Sequence, residues 1–184
     1  YSVQKREEIR GSMGITDQFV IGHVGNFCYQ KNHYFLLDVF EEVHKKDSNT
    51  VLLLAGDGVR FEKFKQIVAE KNLEDVVKLL GRRSDTDYLY QGMDAFLLPS
   101  NFEGLPIVGI EAQSAGLPCF MSDEITKESK ITEACYFIPL KSGAKYWAEE
   151  ILDNRMERQS AEFLDNAEQY DLANQDQELK SLIR

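Results

Sequence analysis

The chain has 184 residues, with 21 Lys+Arg against 31 Asp+Glu and a formal net charge of −10. At about 150 residues per domain, this is one domain's worth of chain, long enough to bury roughly 70% of its unfolded surface without disulfides or metal. The acidic balance excludes a general nucleic-acid binder, which needs surplus Lys and Arg to neutralise phosphates, and argues against docking on an anionic membrane through this piece alone.

Phe19–Val24 (FVIGHV) is a short apolar run rich in β-branched residues and predicts a buried strand ending at Gly25. Asn32 stands where it can cap a following helix, in which Phe35, Leu36, Val39, Phe40 and Val43 recur at helical spacing. Thr50–Ala55 (TVLLLA) is a second strand, closed by Gly56-Asp57-Gly58. A helix over Phe61–Lys71 carries Phe61, Phe64, Ile67 and Val68 on one face. Val76–Leu80 predicts a strand ending at Gly81, and a short helix starts near Ser84. Then come a strand at Ala95–Leu98, a helix at Ile107–Ala115, and strands at Leu117–Met121 and Cys135–Ile138. From about Ser142 the chain reads as helical and charged throughout.

Strands alternating with helices imply βαβ units. The expected fold class is therefore α/β: a doubly wound parallel sheet with helices on both faces and a helical C-terminal tail. Without an internal repeat or a Gly/Ser linker, residues 1–184 read as one domain, with a core at about 16–140 and the tail at about 142–184. Opening on Tyr1 rather than Met, the chain reads as a fragment of something longer. No apolar run approaches the ~18 residues of a membrane span, and YSVQKREEIR is too polar for a signal peptide. Cys28, Cys119 and Cys135, widely spaced, read as reduced thiols of a cytoplasmic protein.

Ligands of such sheets bind beyond the carboxyl ends of the strands. The loops to search are therefore Gly25–Asn32, Gly56–Val59, Gly81–Asp85, Pro99–Pro106 and Ser122–Thr126. The most informative segment is PSNFEGLPIVGIEAQSAGLP, Pro99–Pro118. Pro106 fits the first turn of a helix, where its missing N–H leaves nothing unpaired. Gly104 lets another group approach the backbone. Amides around Gly104, Leu105 and Ile107 would point outward at a positive helix terminus, a natural anion site. Glu103 lies just before that terminus, and Glu111 lies five residues after Pro106, roughly 7.5 Å further along at 1.5 Å per residue. A diphosphate at the helix end would then have a carboxylate on each side, one for a sugar and one for a ribose, since carboxylates accept from paired hydroxyls. The bland reading is a capped surface helix with incidental glutamates; Glu111, between Ile110 and Ala112 in an otherwise apolar helix, weakens it.

With Glu103 and Glu111 spaced Glu-x7-Glu in FEGLPIVGIEAQSAGLP, the sequence resembles the metal-independent GT-B glycosyltransferases of family 4, also grouped as "glycosyl transferases group 1". HVGNFCYQKNH, LLLAGDG, LLGRRSD and DAFLLPS occur in the family's order, and the resemblance covers about residues 11–140, looking closest to members that build capsule or exopolysaccharide chains. It implies a Rossmann-like, C-terminal donor-binding half of a retaining enzyme that uses a nucleoside-diphosphate sugar, UDP-sugar foremost. The acceptor domain is absent from this chain, and the fragment alone is expected to be inactive. Glu103 and Lys31 would carry the chemistry, Glu103 facing the sugar and Lys31 neutralising the diphosphate leaving group. Glu111 would bind the ribose hydroxyls, and Gly104, Leu105, Pro106 and Ile107 would shape the backbone around sugar and phosphate. Gly25 would bring the first loop close, and the backbone near Arg82 would meet the base. Asn26 stands where the family usually has Arg, so Arg82 or Arg83 would have to compensate. No cofactor or metal is implied; the partners are the nucleotide-sugar donor and the missing acceptor half, and any contact with the inner face of the membrane would be made by that half.

Other features read as structural. Asp85-Thr86-Asp87 mimics an Asp-x-Asp metal motif but sits at a helix start, where acids favour the dipole. Gly56-Asp57-Gly58 lacks a third glycine and reads as a turn. His23 reads as a strand or site-wall residue, and His33 and His44 as solvent or helix-face residues. Two rival readings stand beside the transferase: a sugar-nucleotide epimerase or hydrolase of the same fold, which the intact EGLP block and the glutamate pair count against, and a non-catalytic binding or scaffolding module, which Asn26 favours.

Overall fold

The computed structural model describes residues 1–156. The strands are β1 (Phe19–Val24), β2 (Thr50–Ala55), β3 (Val77–Leu79), β4 (Ala95–Leu98), β5 (Cys119–Ser122) and β6 (Cys135–Ile138). The helices are α1 (Val3–Ser12), α2 (His33–Lys46), α3 (Phe61–Glu70), α4 (Thr86–Gly92), α5 (Ile107–Ser114) and α6 (Gly143–Asp153), with short 3-10 turns at Lys127–Ser129 and Leu140–Ser142. One six-stranded, wholly parallel sheet runs in the order β3-β2-β1-β4-β5-β6.

Both faces of this sheet are covered, which is why a strand such as TVLLLA is buried at every position rather than at alternate ones. On one face, α2, α3 and α6 close over Ile21, Leu52, Leu54 and Leu97 with Phe40, Phe64 and Trp147. On the other, α1, α4 and α5 close over Val20, Leu53, Phe96 and Leu98 with Ile9, Leu89 and Ala112. The doubly wound architecture expected from the sequence is the one found.

Besides small shifts of element ends, such as β3 being one residue shorter at each end, five larger details differ from the sequence reading. First, α1 was not foreseen. Only Ile9 and Arg10 of it are buried, and no apolar period marks it. It is docked by charge instead. Arg10, 5% exposed, donates through its guanidinium to the carbonyls of Gly92, Thr16 and Gln18 and to Asp94, while Arg6 donates to Met93 O and Asp94. Asp94 also accepts from the Val20 amide at 2.7 Å, so one carboxylate ties α1 to β1. The core accordingly begins before residue 16.

Second, the core does not end at 140. Trp147, Ala148 and Ile151 of α6 are fully buried against the face that α2 covers, and Trp147 Nε1 donates to Pro139 O at 3.0 Å. The first part of the charged tail is thus amphipathic; residues 157–184 of it lie outside the described residues. Third, β5 starts at Cys119, because Leu117 N still bonds Ala112 O and finishes the turn after α5. Fourth, Asn32 does not cap α2 with its side chain. It takes the left-handed conformation (φ 54, ψ 45), which Asn tolerates better than most residues.

Fifth, His33 is neither solvated nor on an outer helix face. It is 3% exposed, stacked on Phe27 at 3.8 Å between ring centroids and edge-on to His23 at 4.8 Å. His23 is fully buried, its Nδ1 2.8 Å from Leu97 O, whereas His23 Nε2 and both His33 nitrogens have no hydrogen-bond partner among the described residues. Burial holds both imidazoles neutral, pushing the pKa down to about 3 for His23 and about 2 for His33. His44, half-buried, bonds Thr50 Oγ1 through Nδ1. The three cysteines are free thiols, although Cys119 and Cys135 are register partners across β5 and β6. No helix among the described residues is long and apolar enough to cross a membrane.

What positions a site is the strand order. The chain winds outward from β1 to β2 and β3, then returns to lay β4 on β1's other side at Ile21↔Ala95 and Gly22↔Phe96. The helices after β1 and β4, α2 and α5, therefore cover opposite faces of the sheet, and a crevice opens at the carboxyl end between them.

Candidate functional site

A cleft of about 780 Å³ opens at that crevice. Its walls come from the ends of three successive strands: Val24 to Cys28 and Lys31 after β1, Ala55 to Val59 after β2, and Arg82, Arg83 and Thr86 after β3; Val108 of α5 completes it. The three strand ends are drawn together by backbone bonds, Gly25 N to Ala55 O at 3.0 Å and Gly56 N to Gly81 O at 2.8 Å. Gly56 is required here: at φ +150 a Cβ would stand 1.9 Å from Gly25 O. Gly25 is similarly confined, since a Cβ would stand 2.9 Å from His23 Nε2 and 3.2 Å from Lys31 Cε. The buried imidazole pair thus lies directly under the first loop.

Loops from the two halves of the sheet are stitched at the crevice. Asn101 N donates to Gln30 O at 2.8 Å and Asn101 Nδ2 to Tyr29 O at 2.7 Å. This brings the post-β4 loop against the post-β1 loop, and Lys31 Nζ meets Glu103 Oε1 at 2.5 Å, with only 13% and 8% of the two side chains exposed. Ser100 Oγ donates to the same Glu103 oxygen at 2.9 Å, and Ser122 Oγ donates to Ser100 O at 2.5 Å. A short parallel bridge from Glu103 to Ile125 adds support from beyond β5. Among the described residues Glu103 Oε2 has no protein partner, so this oxygen is available to accept from a ligand hydroxyl.

Glu111 shows the same division. Its Oε2 accepts from Tyr90 OH at 2.9 Å, and its other oxygen has no protein partner among the described residues. Three residues past the cleft-lining Val108, Glu111 stands on the same face of α5. The helix starts at Ile107 as expected, but Pro106 occupies the position before its first turn rather than a place within it, and no side chain caps the leading amides. That leaves the positive end of α5 open toward an anion.

Of the residues singled out in the sequence, Gly25, Asn26, Lys31 and Arg82 line the cleft itself. Glu103 is tied to it through Lys31, and Glu111 lies beside it on α5. Gly104, Leu105, Pro106 and Ile107 do not line it. Leu105 and Ile107 are 45% and 61% exposed, and a side chain at Gly104 would project into open space. The two basic residues of the post-β3 loop separate clearly. Arg83 is held by Asp85 through two bonds, Nε to Oδ1 at 2.8 Å and Nη2 to Oδ2 at 2.6 Å, whereas among the described residues no hydrogen bond or ion pair engages Arg82. Asp85 precedes α4 as expected of an acid at a helix start, but its carboxylate serves Arg83 rather than the helix amides.

Sequence reasoning missed Cys28, Thr86 and Val108 in the walls, and Ser100 and Tyr90 behind the two glutamates. Ser100 had a local signal, three residues ahead of Glu103. Tyr90 had none, because its distance from Glu111 is closed only in the fold, where its hydroxyl reaches α5.

The family profile described as "Glycosyl transferases group 1" matches residues 5–171. This chain belongs to the glycosyl transferases group 1 family. It is 38% identical over 126 residues to EpsF of Bacillus subtilis (strain 168), a stretch covering 68% of this chain and 33% of EpsF. It is 33% identical over 110 residues, 58% of this chain and 28% of the other, to the UDP-Gal:alpha-D-GlcNAc-diphosphoundecaprenol alpha-1,3-galactosyltransferase of Escherichia coli. Over 87% of its length it is 30% identical to the capsular polysaccharide biosynthesis glycosyltransferase CapH of Staphylococcus aureus, of which it covers 46%. The chain thus spans between about a quarter and a half of the length of these group 1 relatives. Its fold is that of Anabaena Alr3699/HepE, solved in complex with UDP and glucose, at a TM-score of 0.78 and 19% identity over 100% of this chain and 52% of that one. The pneumococcal O-GlcNAc transferase GtfA, solved with UDP and GlcNAc, gives 0.76 and 21% over 90% and 36%.

Proposed function

We propose that this group 1 chain is the donor-binding half of a glycosyltransferase that moves a hexose-type sugar from a nucleoside-diphosphate sugar, a UDP-sugar foremost, to a polysaccharide or lipid-linked acceptor. The observation that carries the reading is the Lys31–Glu103 pair at the mouth of the switch-point cleft, with an unpartnered oxygen on Glu103 and the open end of α5 alongside. Cleaving a sugar–diphosphate bond builds negative charge on the departing phosphate. A fixed cation and a helix terminus at that point stabilise the transition state more than the ground state. Lys31 is the leaving-group cation, Glu103 the acceptor for a sugar hydroxyl, and Glu111 the acceptor for the ribose. Gly104 to Ile107 shape the backbone toward the sugar, and Gly25 and the Arg82 backbone close in on phosphate and base. Asn26 contributes a donor without charge. Arg82, the cleft arginine with no acidic partner among the described residues, is the second cation; Arg83 is committed to Asp85.

In this reading the chemistry proceeds with retention, needs no metal, and is completed by an N-terminal acceptor domain closing over the cleft; residues 1–184 alone bind nucleotide but do not turn over. The whole protein works in the cytoplasm, at the inner face of the membrane through its other half. One observation favours a second reading, a nucleotide-binding module without activity: the neutral Asn26 in the cleft wall. The test is titration of the chain with UDP, ADP and GDP, repeated with Glu111→Ala. Saturable binding weakened by the substitution is expected, and no saturable binding of any of them at millimolar concentration sinks the donor reading. A large gain in turnover from Asn26→Arg in the full-length protein would favour the degraded module.

A further inference from the structure

Tyr90 lies within α4 and belongs to neither the cleft wall nor the glutamate pair. Its ring is packed in the core, edge-on to Phe96 at 5.8 Å between centroids, and the residue is 2% exposed. Its hydroxyl emerges from that core under α5, 2.9 Å from Glu111 Oε2 and 3.3 Å from Val108 O. Val108 is the α5 residue that lines the cleft. One phenol thus reaches both the turn of α5 that forms the wall and the carboxylate one turn further along.

From this geometry we infer that Tyr90 is a positioning residue for ribose recognition: its phenol fixes one oxygen of Glu111 so that the other presents to the vicinal hydroxyls of the nucleotide's sugar. This rests on the donor-binding reading above and adds to it the residue that sets the choice of ribonucleotide over deoxyribonucleotide. A glutamate standing alone on a helix surface samples several rotamers, and its carboxylate turns freely about its last bond. A donor anchored in the core removes that freedom on one oxygen and leaves the remaining lone pairs for two adjacent hydroxyls. Burial, then the neighbouring Glu111 charge, push the phenol far above its ordinary pKa, so it stays a donor at neutral pH. The bond is charge-assisted, stronger than a neutral pair.

The discriminating experiment is isothermal titration of the chain, as wild type, Tyr90→Phe and Glu111→Gln, with UDP and with 2′-deoxy-UDP. Tyr90→Phe keeps the ring and its contact with Phe96 and removes only the hydroxyl. The wild type is expected to prefer UDP. In Tyr90→Phe the UDP affinity falls roughly three- to tenfold, the worth of one ordinary hydrogen bond, and 2′-deoxy-UDP affinity, which depends on Glu111 through one hydroxyl instead of two, falls less and reports that the cleft still binds. The UDP to deoxy-UDP ratio of Tyr90→Phe then approaches that of Glu111→Gln. An unchanged ratio in Tyr90→Phe overturns the proposal. So does an equal weakening of both ligands, which is what a purely structural tyrosine gives. If the wild type binds neither ligand, the donor reading fails at its root; if it binds both but Glu111→Gln leaves the ratio untouched, the ribose role of Glu111 fails and that of Tyr90 with it.

Discussion

Lys31 and Glu103 hold each other as well as the site they serve, and a double-mutant cycle separates the two roles. Replacing Lys31 with Met keeps the length of the side chain and removes its charge. Glu103 would then be left 8% exposed, with Ser100 Oγ as its one remaining side-chain donor. An exposed ion pair contributes at most about 1 kcal/mol, whereas breaking a fully buried pair costs about 3–5 kcal/mol because a bare charge stays behind. With 13% and 8% of the two side chains exposed, this pair lies near the buried limit but keeps a hydroxyl and a path to water, which places Lys31→Met at about 2–3 kcal/mol. Glu103→Gln leaves a buried ammonium facing an amide oxygen and is expected to cost about 1–2 kcal/mol. The double variant carries no net charge, so it should recover at least about 1.5 kcal/mol relative to the sum of the singles. Urea denaturation followed by tryptophan fluorescence, with Trp147 as the intrinsic probe, measures the four corners. UDP titration supplies the second axis: stability returns in the double variant and nucleotide affinity does not, because the leaving-group cation is still missing. Additive stabilities would show that the pair is not formed in solution, and restored affinity in the double variant would show that Lys31 does not act on the diphosphate.

Two further outcomes follow from buried polar groups. The His23–His33 pair makes the fold acid-sensitive: both imidazoles have a folded pKa, about 3 and about 2, far below the unfolded 6.5, so the unfolded chain takes up protons first. Their stability contribution is complete above pH 6.5 and is lost as pH falls below it, by about 1.4 kcal/mol per histidine at pH 5.5, and His33→Leu should roughly halve the pH slope of the urea midpoint between pH 6.5 and 4.5. Gln113, fully buried, donates to Gly109 O and Ser129 O and accepts from the amides of Ile131 and Thr132; Gln113→Leu strands three of these backbone groups and should cost about 3 kcal/mol, a change under 1 kcal/mol in denaturant unfolding refuting the count.

The sheet was legible because its strands are apolar on both sides and its helices α2, α3 and α5 follow them with a clear apolar stripe or a Gly-Pro-marked start. What escaped was held by polar geometry. Helix α1 is fastened through Arg6 and Arg10 to a carboxylate and carbonyls some eighty residues away, and no local pattern announces such a partner. His33 was misjudged because a histidine opening a helix is ordinarily wet, and only the fold shows Phe27 lying across it. In the site, the residues that a linear motif brings near each other, Glu103 and Glu111, could be read in advance. Their holders, Lys31 for one and Tyr90 for the other, come from different crossovers. Lys31 was reached through resemblance; Tyr90 was invisible. The EGLP stretch shows that nearness in sequence to Glu103 does not make a cleft wall: Gly104 to Ile107 do not line the cleft, and Leu105 and Ile107 are exposed.

Each of the two glutamates surrenders one oxygen to the protein and keeps the other. A free glutamate or lysine loses up to about 2 kcal/mol of rotamer entropy when it is immobilised. Here that loss is incurred while the chain folds, so an arriving ligand meets three side chains whose disorder has already been removed. Recognition at such a surface is dominated by the fit of hydroxyls and phosphate to fixed acceptors and donors, and discrimination between near-identical sugars becomes a matter of angle rather than of adaptation.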